Sequence, residues 1–182
     1  MDTWDSSITN CGSKYDNDLN LYFFPVVNVD NVTNMNYMFS DTNLLVVPDL
    51  NTPKCTNLNG TFSGCSNLLY ADLSSWTLSK VETVSYMFNG CKKVPTIILP
   101  KGLRPTYAEN MFNNCTALTQ VNIKDIDFSQ CTNMASAFAN CDGLTVIPRL
   151  NTGNCTKLGS IFYGSDNLVR VEGIDMKSVS GD

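Results

Sequence analysis

DLNTPKCTNL, from Asp49 to Leu58, and RLNTGNCTKL, from Arg149 to Leu158, are nearly the same ten residues written twice, 100 positions apart. Self-similarity at a fixed distance is the signature of a repeat architecture. Aligning the chain on one recurring Phe exposes the unit: Phe39, Phe62, Phe88, Phe112, Phe138 and Phe162, spaced by 23, 26, 24, 26 and 24 residues. Short and long units alternate, so the opening pair occupies the same place in two short units.

Around each Phe the pattern is constant. Four residues earlier sits Met35, Leu58, Val84, Ala108, Met134 or Leu158. Positions i and i+4 share a helix face, which predicts a short helical turn with one buried side. Thr33, Thr56, Thr132 and Thr156 precede the Phe by six and are placed to cap that turn by accepting a backbone N–H. Three residues after the Phe comes Cys65, Cys91, Cys115 or Cys141, with Ser165 in the last unit. An extended segment follows, as in Leu68, Ala71, Leu73 and in Leu118, Val121, Ile123, whose alternation predicts a strand. Pro48 and Pro148 are expected to end pairing in their strands. The register extends to Leu19, Tyr22, Phe24 and Val27 at one end and to Ile174-Asp175-Met176 at the other. The count is seven parallel strands with six helical turns between them. One such unit cannot bury its own apolar face, but a stack shares a continuous core. Residues 19–182 are therefore expected as one repeat domain ending mid-repeat, and residues 1–18 as an N-terminal cap or leader of uncertain order.

The 182 residues suffice for one sizeable core. A net charge of −5 and a pI near 4.6 offer no basic footprint for nucleic acid. No apolar run is long enough to span a membrane. The polar start, MDTWDSSITN, is no signal peptide. Histidine is absent, which excludes Ser-His-Asp and Cys-His catalysis and histidine metal sites within the chain.

The stretches NVTNMNYMFSDTNLLVVPDLNT, FSGCSNLLYADLSSWTLSKVETVSYMFNGC and CTNMASAFANCDGL resemble the BspA-like leucine-rich repeats of bacterial surface proteins, in the variant T-N-M-x-x-M-F-x-x-C-x-x-L. The resemblance covers about residues 19–176. It implies an α/β leucine-rich-repeat solenoid, a right-handed superhelix with strands on the concave face and helical turns on the convex side. It further implies a non-catalytic adhesion or recognition module of an exported, cell-surface protein, binding a protein or glycan on a host or neighbouring cell. Similar repeats look like parts of phage tail proteins, so a structural or receptor-contacting segment of a larger assembly is the alternative. The lack of an export signal and of a clear C-terminal cap makes a piece of a longer chain the expectation, monomeric on its own.

Eight cysteines invite a disulfide or metal reading. They form no CxxC pair. Cys65, Cys91, Cys115 and Cys141 share one repeat position; Cys55, Cys131 and Cys155 share another. That pattern reads as buried free thiols in a core, with disulfides between stacked neighbours as the alternative. A linear ladder is a poor tetrahedron for zinc, so no metal and no cofactor are expected. Cys11 lies outside the pattern and is the candidate for an exposed thiol. The paired carboxylates Asp16/Asp18 and Asp125/Asp127 read as solvated turn residues. Function is expected on outward-pointing strand residues: Tyr70, Asp72, Gln120, Asn122, Arg149, Arg170 and Glu172, with Thr96, Ile98 and Lys124 beside them. Tyr and Arg are enriched at binding hot spots. Enzymatic activity is not expected.

Overall fold

The computed structural model describes residues 7–175. Its repeating element is an arc centred on Tyr15, Phe39, Phe62, Phe88, Phe112, Phe138 or Phe162. Two residues before and two after the ring, the backbone is left-handed. Around Phe39 these are Tyr37 (φ 52°) and Asp41 (φ 54°); around Phe112, Asn110 (φ 53°) and Asn114 (φ 60°). A left-handed residue every fourth position prevents helix propagation. Among the described residues there is no α-helix, and the expected helical turns are instead these arcs.

The left-handed residues direct alternate N–H groups along the stack. Met35, Tyr37, Phe39 and Asp41 donate to the carbonyls of Asn57, Asn59, Thr61 and Ser63 in the next coil, at 2.7 to 2.9 Å. The same four bonds recur at each step, ending with Met134, Ser136, Phe138 and Asn140 donating to Lys157, Gly159, Ile161 and Tyr163. The intervening N–H groups close turns within their own coil, as Met38 to Met35 O and Ser40 to Tyr37 O. Buried backbone groups are thus paired without helix or strand.

The threonines do not cap. Thr33, Thr56, Thr132 and Thr156 donate Oγ1–H to the carbonyl of Thr9, Thr33, Thr106 and Thr132 in the preceding coil. The accepting role falls to the next residue: Asn34, Asn57 and Asn133 each take the N–H two positions on. Such an Asx turn fixes the start of the arc. Parallel bridges run through this column from Asn10 to Lys157.

On the other side lie five short strands: β1 (Ala71–Asp72), β2 (Thr96–Ile98), β3 (Gln120–Val121), β4 (Val146–Ile147) and β5 (Arg170–Val171). They form two parallel sheets, β1-β2-β3 and β4-β5, rather than seven continuous strands. Val46 and Tyr70 make an isolated bridge beside the first sheet. β4 ends just before Pro148, which has no N–H to give, but pairing resumes at Leu150 with Ile174. Two 3-10 turns, Ile123–Asp125 and Phe128–Gln130, occupy one of the long units. Met176, the end of the expected Ile-Asp-Met echo, lies outside the described residues.

The six ladder rings stack at 5.3 to 6.1 Å between centroids, within 28° of parallel. Phe39 through Phe138 are buried, and Phe162 in the last arc is half-buried. Tyr15 stacks on Phe39 at 5.9 Å, and Cys11 N and Tyr15 N bond to the Phe39 coil. The described part of segment 1–18 is therefore a further coil of the stack. Cys11 occupies the apolar position four before the ring and is buried, not exposed.

All eight cysteines are free and buried. The ladder thiols are hydrogen-bond donors. Cys65, Cys91, Cys115 and Cys141 Sγ reach the carbonyl of Phe39, Phe62, Phe88 and Phe112 in the preceding coil at 3.0 to 3.2 Å. Ser165 Oγ does the same to Phe138 O at 2.7 Å. In the second column, Cys55, Cys131 and Cys155 Sγ bond to the carbonyl two residues ahead. The interaction between the Cys131 and Cys155 thiols raises the pKa of the first and lowers that of the second.

Truncating one ring leaves a cavity in a continuous ladder. Phe88→Ala should lower unfolding free energy by about 3 to 5 kcal/mol in denaturant titration. A midpoint equal to that of the parent protein would remove the ring stack from the core.

Burial pushes the ladder thiols from an ordinary 9.0 to about 11 for Cys65 and about 12 for Cys141, and Cys91 and Cys115 well up. Between pH 9 and these values the unfolded thiols lose protons that the folded thiols keep. Stability is therefore whole below pH 9 and falls as pH rises, by up to about 1.4 kcal/mol per pH unit for each thiol. Melting scans of Cys115→Ser should show a shallower fall, because the donor stays and the ionisation goes. Cys115→Ala should instead cost about 1 to 2 kcal/mol at neutral pH by losing the bond.

Candidate functional site

Parallel register sets which outward side chains adjoin. Thr96 and Gln120 pair across β2 and β3, and Tyr70 stands one residue before β1; Asp72 and Ile98 pair in the next column. Val146 and Arg170 pair across β4 and β5. Leu69, Tyr70, Val146 and Val169 are exposed along this side at 52%, 54%, 41% and 84%.

The expected site residues fall into three groups. Tyr70 donates its hydroxyl to Asp72 Oδ2 at 3.2 Å, which raises the phenol pKa. The Ser74 hydroxyl and N–H hold Asp72 below the usual carboxylate range. On the second sheet, Arg170 pairs with Glu172 at 2.9 Å and Arg149 with Asp175. Both guanidinium groups are thus already neutralised by neighbours. Exposed pairs of this kind contribute about 0 to 1 kcal/mol each. Gln120 is exposed and lies between these groups.

Asn122 departs from the expectation of a free outward amide. Its Oδ1 accepts from Leu99 N at 2.8 Å and its Nδ2 donates to Leu99 O at 2.9 Å. The half-buried side chain substitutes for a strand backbone and holds the end of β2. Its role is structural.

A groove opens where the two sheets part. Among the described residues no backbone hydrogen bond joins 119–123 to 144–148. The coils still touch just before the gap. A methyl placed on Gly143 would overlap the Leu118 carbonyl, so only glycine permits that approach. Beyond it the strands splay, leaving a cavity of about 430 Å3 with Ile97, Val121, Ile123, Leu144 and Ile147 among its lining and Thr96, Gln120, Asn122, Val146 and Pro148 around them. A second groove of about 700 Å3 lies beside Trp76, Leu99, Lys101 and Asp125, and shares Ile98 and Asn122 with the first. Sequence reading had Thr96, Ile98 and Gln120 outward but missed Leu144, Val146 and Pro148. The available signal was Gly143, the one glycine preceding a strand at this repeat position.

Among the described residues, no three His, Cys, Asp or Glu side chains converge as a metal-binding group, and no helix is long and apolar enough to cross a membrane.

Gly143→Ala forces the Leu118 carbonyl away. It should cost about 1 to 3 kcal/mol and shift the methyl NMR signals of Leu144 and Ile147. An unchanged melting temperature would show that the close approach does not hold the groove.

Comparison with curated proteins and with solved structures finds no match. Family comparison does. Residues 6–98 match a family described as Mycoplasma protein of unknown function, DUF285, and residues 59–178 match the BspA type leucine rich repeat region in six copies. Each match spans at least half the chain, and the second covers the Phe62 to Phe162 ladder, both grooves and all five strands: the chain belongs to the BspA-type leucine-rich-repeat family, and its first part to the DUF285 family.

Proposed function

We propose that this chain is a non-catalytic recognition module of a cell-surface or secreted protein. In this reading the stack is a right-handed solenoid, and its strand side contacts a protein or glycan on a host or neighbouring cell. Tyr70, Asp72, Gln120, Arg149, Arg170 and Glu172 supply the contacts. The observation that carries the reading is the run of large exposed side chains over the strand side. Leu69, Tyr70, Val146 and Val169 stand there beside hydrogen-bonding and charged groups. Apolar surface rimmed by polar groups marks interaction sites. Stacked repeats offer extended faces rather than deep catalytic clefts. BspA-type repeats are generally associated with surfaces and adhesion, which supports the same location. A second reading, a segment of a larger assembly, is favoured by Leu19, Phe23 and Val26, exposed at 62%, 64% and 79% on the first coils.

The test is a binding screen of the purified chain against extracellular-matrix proteins, mucins and surface glycans, with Tyr70→Ala/Arg170→Ala alongside. A ligand whose affinity falls about tenfold or more in the double variant, at unchanged melting temperature, is the expected result. Full affinity in the variant would move the contact off these residues. No ligand, together with self-association in sedimentation, would replace recognition by assembly.

A further inference from the structure

We infer that the groove between β3 and β4 is a subsite for a peptide ligand, seating one aliphatic side chain while the flanking peptide groups bond to the groove's rim. The inference rests on the recognition reading above and narrows its ligand class. Three observations carry it. The first is charge: no ionisable side chain lines the cavity. A phosphate, carboxylate or ammonium group would enter an apolar hollow with no counter-charge, at a large desolvation cost. The second is shape and surface. The hollow holds six buried or half-buried aliphatic side chains, Ile97, Ile98, Val121, Ile123, Leu144 and Ile147, and no aromatic ring. It therefore suits a branched aliphatic group and offers no ring face against which a sugar can stack.

The third is the polar rim. Parallel pairing stops between β3 and β4, and the Ile147 carbonyl is taken by Glu172 on the β5 side, so the facing edges around Val121 and Val146 carry peptide groups not bonded to each other. The Gln120 amide adds a donor and an acceptor on the exposed side. A neutral occupant that matches alternating donors and acceptors beside an aliphatic side chain is a peptide residue. Strand edges take such partners through main-chain bonds, with pockets choosing the side chain. The volume, about 430 Å3, holds one large side chain with its adjoining peptide groups, not a whole folded element.

The probe is N-acetyl-leucine N-methylamide, a single residue with both peptide groups blocked. Its controls are N-acetylglycine N-methylamide, which lacks the side chain, and methyl glucoside. Methyl NMR of the full chain reads the signals of Val121, Leu144 and Ile147 during titration. The expected result is saturable shifts confined to these methyls with the leucine amide, at least about tenfold weaker with the glycine amide and absent with the glucoside. Val146→Trp, at a mouth position that is 41% exposed, should fill the opening and abolish the shifts. Gln120→Ala should weaken them without altering melting. No saturable shift, or shifts that survive Val146→Trp, overturns the inference. Equal binding of the glucoside overturns the peptide assignment in favour of a glycan. The two readings fail separately. Leucine-amide binding with an empty ligand screen sinks only the surface-recognition reading. A screen hit sensitive to Tyr70→Ala/Arg170→Ala, with no amide binding, sinks only the groove.

Discussion

Phe39 N donates to Thr61 O, Phe62 N to Met87 O, Phe88 N to Met111 O, Phe112 N to Ala137 O and Phe138 N to Ile161 O. Everything else depends on this bond and its three companions in each coil. An arc with no helix and no strand of its own has peptide groups that cannot pair locally. The next coil supplies the acceptors, and it can do so only when the rings stack in register. Burying the ring and pairing the peptide are thus one event. A coil lifted from the stack would lose both, which is the physical content of saying that a repeat cannot fold alone.

The cysteine column follows from the same constraint. The carbonyls of Phe39, Phe62, Phe88 and Phe112 already accept the N–H of the residue three positions on, and the second lone pair faces a buried core; at Phe138 the Cys141 N–H goes instead to the Ser165 hydroxyl. A small donor three residues after the next ring fills that need. Thiol and hydroxyl serve equally, as Ser165 shows, and Thr42 bonds the Phe39 carbonyl from within its own coil. A disulfide between neighbours would remove two such donors. The column is therefore held as thiols by hydrogen bonding as much as by packing.

The ladder of rings, the boundaries of the units and the burial of Cys65 through Cys141 were legible in the spacing alone. The arc was misread as a helical turn because Leu58 and Phe62, four apart, share a side in either geometry. The distinguishing signal lay two residues after each ring: Asn17, Asp41, Gly64, Gly90, Asn114, Asn140 and Gly164. These residue types tolerate left-handed backbone and are poor inside a helix. Cys11 was misplaced for a related reason. The first unit carries Tyr15 instead of Phe, so a ring search on Phe alone stopped one coil short. Gly143 marked the place of the groove, but the splaying itself was not legible, because it depends on how that glycine meets Leu118 across 25 positions. Asn122 looked outward by alternation, yet its amide competes for strand hydrogen bonds in a way no period records. Of the expected surface set, the Tyr70–Asp72 and Arg170–Glu172 contacts follow directly from alternate residues sharing a side.

In every arc the four inter-coil bonds point the same way, N–H toward the later coil and carbonyl toward the earlier one. Their peptide dipoles therefore add along the stacking direction, as they do along an α-helix axis, although the described residues contain no α-helix. The column of arcs is electrically polar, positive toward its C-terminal coils. Addition of a coil is consequently orientation-selective: toward the C-terminus it must offer carbonyls, toward the N-terminus N–H groups. A coil presented upside down would set donors against donors. Orientation in this array is fixed by the handedness of a few left-handed residues per repeat, before any side chain is compared.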